Sequence, residues 1–181
     1  MKTILYLFFA VLFMSSCATS KETLATRNEL KKEKLLAEQA LIEKAVESRR
    51  FIIKLDKIYL NYGGMADLLP RRNYIIVDGR KAIISAAYLG RQFDIKPIAG
   101  INIRGEAKEF QVTTNESKGL YEIKMKVDNN SNSFDVYLTI GKNGTCSASL
   151  TSMMIDFVRY KGYIVPIKEK ENNPSQNSTL I

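Results

Sequence analysis

The sequence predicts an α+β chain that is mostly β: an antiparallel meander sheet, curved to the point of a half-barrel, with one long N-terminal helix. Three observations point there. Apolar residues recur at helical spacing between Lys21 and Arg50, alternation takes over from Phe51 onward, and turn-forming pairs such as Asp78-Gly79 and Asn143-Gly144 punctuate the second region. The implied division is a signal segment over 1–16, a tether and helix over 17–50, an antiparallel β domain over 51–167 and a disordered tail over 168–181.

The chain opens with Lys2, an apolar run from Ile4 to Met14, and then Ser15-Ser16-Cys17. A short charged start, a hydrophobic stretch too short to span a bilayer and small residues before a cleavage point make a secretory signal. Met14-Ser15-Ser16-Cys17 resembles the lipobox of bacterial lipoproteins, with Met where an aliphatic residue is usual. That resemblance implies a diacylglyceryl thioether on the Cys17 sulfur, cleavage before Cys17 and acylation of the freed amine. Several acyl chains, each buried methylene contributing about 0.8 kcal/mol, anchor a protein durably. No Asp follows Cys17 closely, and Lys21-Glu22 is too thin an acidic run for surface export. The expected place is therefore the outer membrane, lipid-anchored and facing the periplasm.

Lys21 to Arg50 reads as a helix, with Thr26-Arg27-Asn28-Glu29 as a capping box. Leu30, Ala37, Leu41 and Ala45 recur at helical spacing, with Leu35, Ile42 and Val46 beside them. The C-terminal half is expected to pack on the domain. The N-terminal half, carrying Lys31, Lys32, Glu33 and Lys34, reads as a solvated tether.

Phe51 to Tyr59 reads as the first strand, ending at the Asn61-Tyr62-Gly63-Gly64 turn. Asn73 to Val77 and Arg80 to Ala87 flank Asp78-Gly79, which suits a type I′ turn. Ile101 with Ile103, and Phe110 with Val112, give two further alternations. Tyr121, Ile123, Met125 and Val127 point one way while Glu122, Lys124 and Lys126 point the other, the pattern of a half-buried antiparallel strand. Asp128 to Ser133 is a polar loop. The next hairpin can be read to its register. A two-residue loop at Asn143-Gly144 would set Ile140 against Ser147, mixing core with solvent. A three-residue loop, Lys142-Asn143-Gly144 with Gly144 left-handed, sets Ile140 against Cys146, Leu138 against Ala148 and Val136 against Leu150. It places Cys146 inward as a small buried hydrophobe. Phe157 to Tyr160 and Tyr163 to Ile167 read as closing strands around Lys161-Gly162.

Composition narrows the chemistry. Histidine and tryptophan are absent, and with Cys17 modified Cys146 is the only thiol. The commonest general base, the usual triad partner, a disulfide within one chain and cysteine–histidine metal sites all go with them. No phosphate-cradling loop and no dinucleotide fingerprint are present, so no catalytic residue, metal or cofactor is expected. The formal net charge is +8. In the periplasm the anions within reach are lipopolysaccharide phosphates and acidic lipid headgroups, not nucleic acid. Arg49, Arg50, Arg71, Arg72 and Arg91 fall at element ends and form a candidate anion patch, with Arg80-Lys81 and Lys96 nearby. Tyr74, Tyr88 and Tyr121 are candidates to line a groove in the concave face. The first reading is a non-enzymatic binding or structural lipoprotein that holds an apolar ligand or an envelope protein. An envelope enzyme working without histidine and an anion-binding module for lipopolysaccharide or acidic lipid are the alternatives.

Two short stretches carry a family resemblance: Ala86-Ala87-Tyr88-Leu89-Gly90-Arg91 and Phe157-Val158-Arg159-Tyr160-Lys161-Gly162. With them, the run from Phe51 to about Pro166 resembles a Bacteroidota lipoprotein domain, the domain of unknown function 4251. The Leu-Pro pair usual in the family before the first stretch is missing here. The resemblance implies a β-rich periplasmic fold and no established activity.

Overall fold

The structure, a computed structural model, describes residues 19–61, 63–89 and 100–167, with side chains from Arg27 onward. The signal segment with Cys17, Tyr62, Arg91, Lys96 and the tail from Lys168 lie outside the described residues. Among the described residues, helix α1 (Thr19–Glu47) is followed by nine strands: β1 (Arg50–Tyr59), β2 (Met65–Asp67), β3 (Tyr74–Asp78), β4 (Lys81–Ala86), β5 (Ile101–Asn115), β6 (Leu120–Asp128), β7 (Ser133–Gly141), β8 (Thr145–Thr151) and β9 (Val158–Pro166). Residues Met1–Glu38 and Gln39–Ile181 form two compact units. In the first, the described side chains from Arg27 to Glu38 are exposed. Thr26 lies inside the helix, not at its start, so its segment is not a capping box.

In the second unit every pairing is antiparallel, each strand from β3 to β9 lies beside the next, and β9 returns to pair with β1. The sheet is thus a closed eight-stranded barrel, with β2 as a short flap on the far half of β1. The half-barrel expectation is corrected at this seam. Residues Phe51 to Ile58 of β1 register with Pro166 to Tyr160 of β9, with a bulge between Leu55 and Lys57. The physical reason is that an open sheet would leave both edges unpaired, and closure removes them.

Inward residues make one cluster that includes Phe51, Ile53, Ile75, Ile84, Ile103, Ile123, Leu138, Leu150 and Tyr160. Eight strands enclose a space just wide enough for such side chains to fill. Ile42, Ala45 and Val46 of α1 belong to the same cluster, so the last turns of the helix do pack on the barrel. The buried face is 42/45/46; Leu41, in the half expected to pack, is exposed.

The β7–β8 register is as read from sequence: Ile140 against Cys146, Leu138 against Ala148, Val136 against Leu150, with Gly144 at φ 83°. Three other readings are corrected. The β3–β4 turn is Gly79-Arg80, because Asp78 pairs with Lys81 and Val77 with Ala82, which keeps both strands' buried residues on one side. The two alternations at Ile101 and Phe110 are one strand, β5. A bulge between Lys108 and Gln111, with Glu109 at φ 52°, inserts the residue that shifts the inward set from odd to even positions. Lys161-Gly162 is no turn: it lies within β9.

Candidate functional site

The connection from helix to barrel builds one end of the molecule's second unit. Ser48 N–H donates to the Lys44 carbonyl at 2.9 Å, the Ser48 hydroxyl to the Ala45 carbonyl at 3.3 Å, and Arg49 N–H to the Val46 carbonyl at 3.2 Å. The chain then turns through Arg49 in a left-handed conformation (φ 54°), and the Arg49 guanidinium lies 4.5 Å from the centre of the Phe110 ring. Arg50 opens β1 and donates from Nε to Asp78 Oδ1 at 3.1 Å. Between the helix end and the end of β9 lies a recess of about 390 Å³ lined by Leu41, Lys44, Ala45, Ser48, Arg50 and residues Val165, Pro166 and Ile167. Its walls are aliphatic and its polar groups are Lys44, Ser48 and Arg50. Sequence reading placed these residues in a helix face and a closing strand; nothing in their spacing shows that the two meet.

The opposite end is held shut by polar contacts among buried groups. Tyr160 is fully buried, and its hydroxyl donates to the Ala87 carbonyl at 2.8 Å. The Ala87 N–H donates to Asn73 Oδ1 at 2.7 Å, and Asn73 Nδ2 donates to the Leu69 carbonyl at 3.0 Å. The Asp156 N–H donates to the Tyr88 hydroxyl at 3.2 Å, beside the buried Ile155. Burial pushes the Tyr88 and Tyr160 phenols above the ordinary tyrosine value.

The three candidate groove tyrosines therefore do not share a surface. Tyr88 and Tyr121 are core residues, whereas Tyr74 stands on the outer wall of β3 with Lys54 Nζ 5.4 Å from its ring centre. Burial, and then the carboxylates Glu43, Glu116 and Glu47, raise the Tyr121 phenol. The described members of the arginine patch also part company. Arg49 and Arg50 stand where β3 ends, and the exposed Arg71 and Arg72 where it begins, at opposite ends of the barrel wall.

Two lysines have shifted acidity. Hydrogen bonding to Asp67 raises Lys57, and hydrogen bonding to Asp128 raises Lys108 and lowers the Asp128 carboxyl. Both ammonium groups are held protonated, the reverse of what a lysine base needs. Cys146 is buried, and desolvation pushes its thiol up to about 12, so it is no nucleophile at neutral pH. A second recess of about 440 Å³ dents the outer wall where Thr139, Gly141, Ser147 and Gly162 are small, between Lys57, Asp56 and Lys161. Among the described residues no three His, Cys, Asp or Glu converge as a metal site, and no helix is long and apolar enough to cross a membrane.

Comparison with known proteins agrees with this geometry. A crystal structure of a DUF4251 family protein from Bacteroides eggerthii superposes with a TM-score of 0.61 at 13% identity, over 72% of this chain and 88% of that one, a likeness of fold. No curated protein matches the chain. The family described as "Domain of unknown function (DUF4251)" matches residues 33–164, from the exposed part of α1 to the inward Ile164 of β9, and the chain belongs to that family.

Proposed function

We propose that the protein is a membrane-anchored periplasmic lipoprotein with a binding or structural role and no catalysis. In this reading Cys17 is acylated, the anchor sits in the outer membrane, and the barrel is a rigid scaffold that meets an envelope partner or ligand with its outside. The filled barrel carries the role: side chains from all eight walls, with Tyr160 among them, occupy the space that a carrier of this size would give to its cargo. The pairing of Lys57 and Lys108 with carboxylates, and the separation of Arg49-Arg50 from Arg71-Arg72, leave the enzyme and anion-patch readings without a supporting cluster among the described residues. The address rests on Lys2, the apolar run to Met14, and Ser15-Ser16-Cys17.

Metabolic labelling tests it. Cells producing the full chain are grown with an alkyne-bearing palmitate and fractionated. The expected result is label on the wild-type chain in the outer-membrane fraction, and an unlabelled, larger Cys17→Ala precursor. Unlabelled wild-type chain, or label retained by Cys17→Ala, overturns the anchor.

A further inference from the structure

The recess beside the helix end joins an aliphatic floor to a cationic rim. Leu41 and Ala45 form the helix side, and Val165, Pro166 and Ile167 the strand side. A scattered surface leucine needs no explanation, but Leu41 is 56% exposed and walls a concave apolar space. The volume of about 390 Å³ falls in the range of roughly 300–1,000 Å³ typical of small-molecule sites. It is a recess between one helix and the end of one strand.

Charge decides which chain. No carboxylate is among the lining residues, and of the two lining cations Arg50 is already paired with Asp78 while Lys44 stands exposed. A helix C-terminus by itself repels anions. Here the Lys44, Ala45 and Val46 carbonyls already accept hydrogen bonds from Ser48 and Arg49, and the Lys44 ammonium sits in that last turn. Arg50, its Nε held by Asp78, brings a guanidinium to the same edge. An aliphatic floor with cations at one edge fits a molecule that is aliphatic along its length and anionic at one end.

We propose that this recess binds a long-chain fatty acid, its acyl chain against Leu41, Val165 and Ile167 and its carboxylate at the edge formed by Lys44 and Arg50. The proposal gives the binding role a ligand class and a place outside the barrel. It rests on that role and is independent of acylation at Cys17.

The test is photolabelling of membranes that contain the full chain, with a palmitate analogue bearing a diazirine in its chain and an alkyne for capture. Adducts are mapped on peptides. They are expected on the segments around Leu41 and Val165–Ile167, and to be competed by palmitate. Leu41→Asp should cut them at least fivefold. Lys44→Glu should cut labelling by the acid about fivefold while labelling by the matching photoreactive alcohol changes less than twofold. Both side chains are exposed, so the barrel persists, which its tyrosine near-ultraviolet circular dichroism verifies. Cys17→Ala should label like wild type, which separates this site from the anchor. Adducts spread over the barrel wall, indifference to Leu41→Asp, or equal loss of acid and alcohol in Lys44→Glu overturns the proposal. Labelling that appears only in Cys17→Ala also overturns it, because the chain's own acyl groups would then fill the recess.

Discussion

Gly162→Ala should open the barrel at its seam. Gly162 lies in β9 opposite Leu55, where β1 bulges between Leu55 and Lys57. A Cβ on Gly162 would fall on the Lys54 carbonyl oxygen, 2.9 Å from its carbon and 3.1 Å from the Leu55 Cα. Carbon atoms prefer about 3.5–4.0 Å, and the obstacle is backbone, so β1 must retreat on the order of 1 Å. Overpacking of this kind costs about 1–3 kcal/mol. Weakening the neighbouring seam hydrogen bonds adds about 1 kcal/mol each. A total near 3 kcal/mol corresponds to a fall in Tm of about 6–12 °C for a domain of this size.

The assay is urea unfolding followed by tyrosine near-ultraviolet circular dichroism, since the chain has no tryptophan. Gly63→Ala is the comparison. Gly63 has φ 93° and nothing within 4 Å of its Cβ position, so it reports backbone strain alone, about 1–2 kcal/mol. If Gly162→Ala costs no more than Gly63→Ala, steric closure at Gly162 is refuted.

Tyr160→Phe removes the hydroxyl that satisfies the Ala87 carbonyl and should cost about 1–3 kcal/mol in the same assay, whereas Tyr137→Phe on the exposed wall should stay within about 0.5 kcal/mol. Cys146 should resist a disulfide-exchange reagent at pH 8 and react only at the rate of unfolding; prompt labelling of folded protein would contradict its burial. Because the folded thiol titrates at about 12, above its ordinary value of 9.0, the unfolded chain loses this proton first as pH rises. That contribution to stability is complete below pH 9.0 and declines towards about 12, by on the order of 1 kcal/mol per pH unit. Urea midpoints at pH 8, 9.5 and 10.5 should therefore fall less steeply for Cys146→Ala than for wild type, and equal slopes would refute the assignment.

What was legible in the sequence was local. The β7–β8 register follows from alternation and the short turn: a three-residue loop keeps Leu138 against Ala148, whereas the two-residue loop sets it against a serine. Alternation also found β1 and β6. It misled where one residue changes the phase. Phe110 and Val112 look like a separate strand because the bulge at Glu109 shifts the inward positions of β5, and a bulge has no fixed signature. Lys161-Gly162 looks like a turn because glycine usually marks one; here the missing side chain admits the Lys54 carbonyl of the adjacent strand β1. Closure itself could not be read, since it depends on β1 meeting β9 more than a hundred residues later. For the same reason the recess was invisible: Leu41 and Val165 belong to distant segments, and neither is unusual alone.

This division bears on where function can lie. The stretches that carried the family resemblance contain Tyr88, Tyr160 and Gly162, and each closes the barrel: Tyr88 meets the Asp156 N–H, Tyr160 reaches the Ala87 carbonyl, and Gly162 lets β9 lie close against β1. A chain that preserves them preserves a filled scaffold. Their presence predicts fold and is silent on chemistry. With Ile155 buried near one end and Ile42 and Val46 near the other, the interior is committed to packing at both mouths. A ligand of the proposed kind would have to meet side chains that packing leaves on the outside. Leu41, exposed on a helix whose neighbouring Ile42 is buried, is such a residue, and the exposed Lys44 beside it gives the recess a polarity that packing does not require.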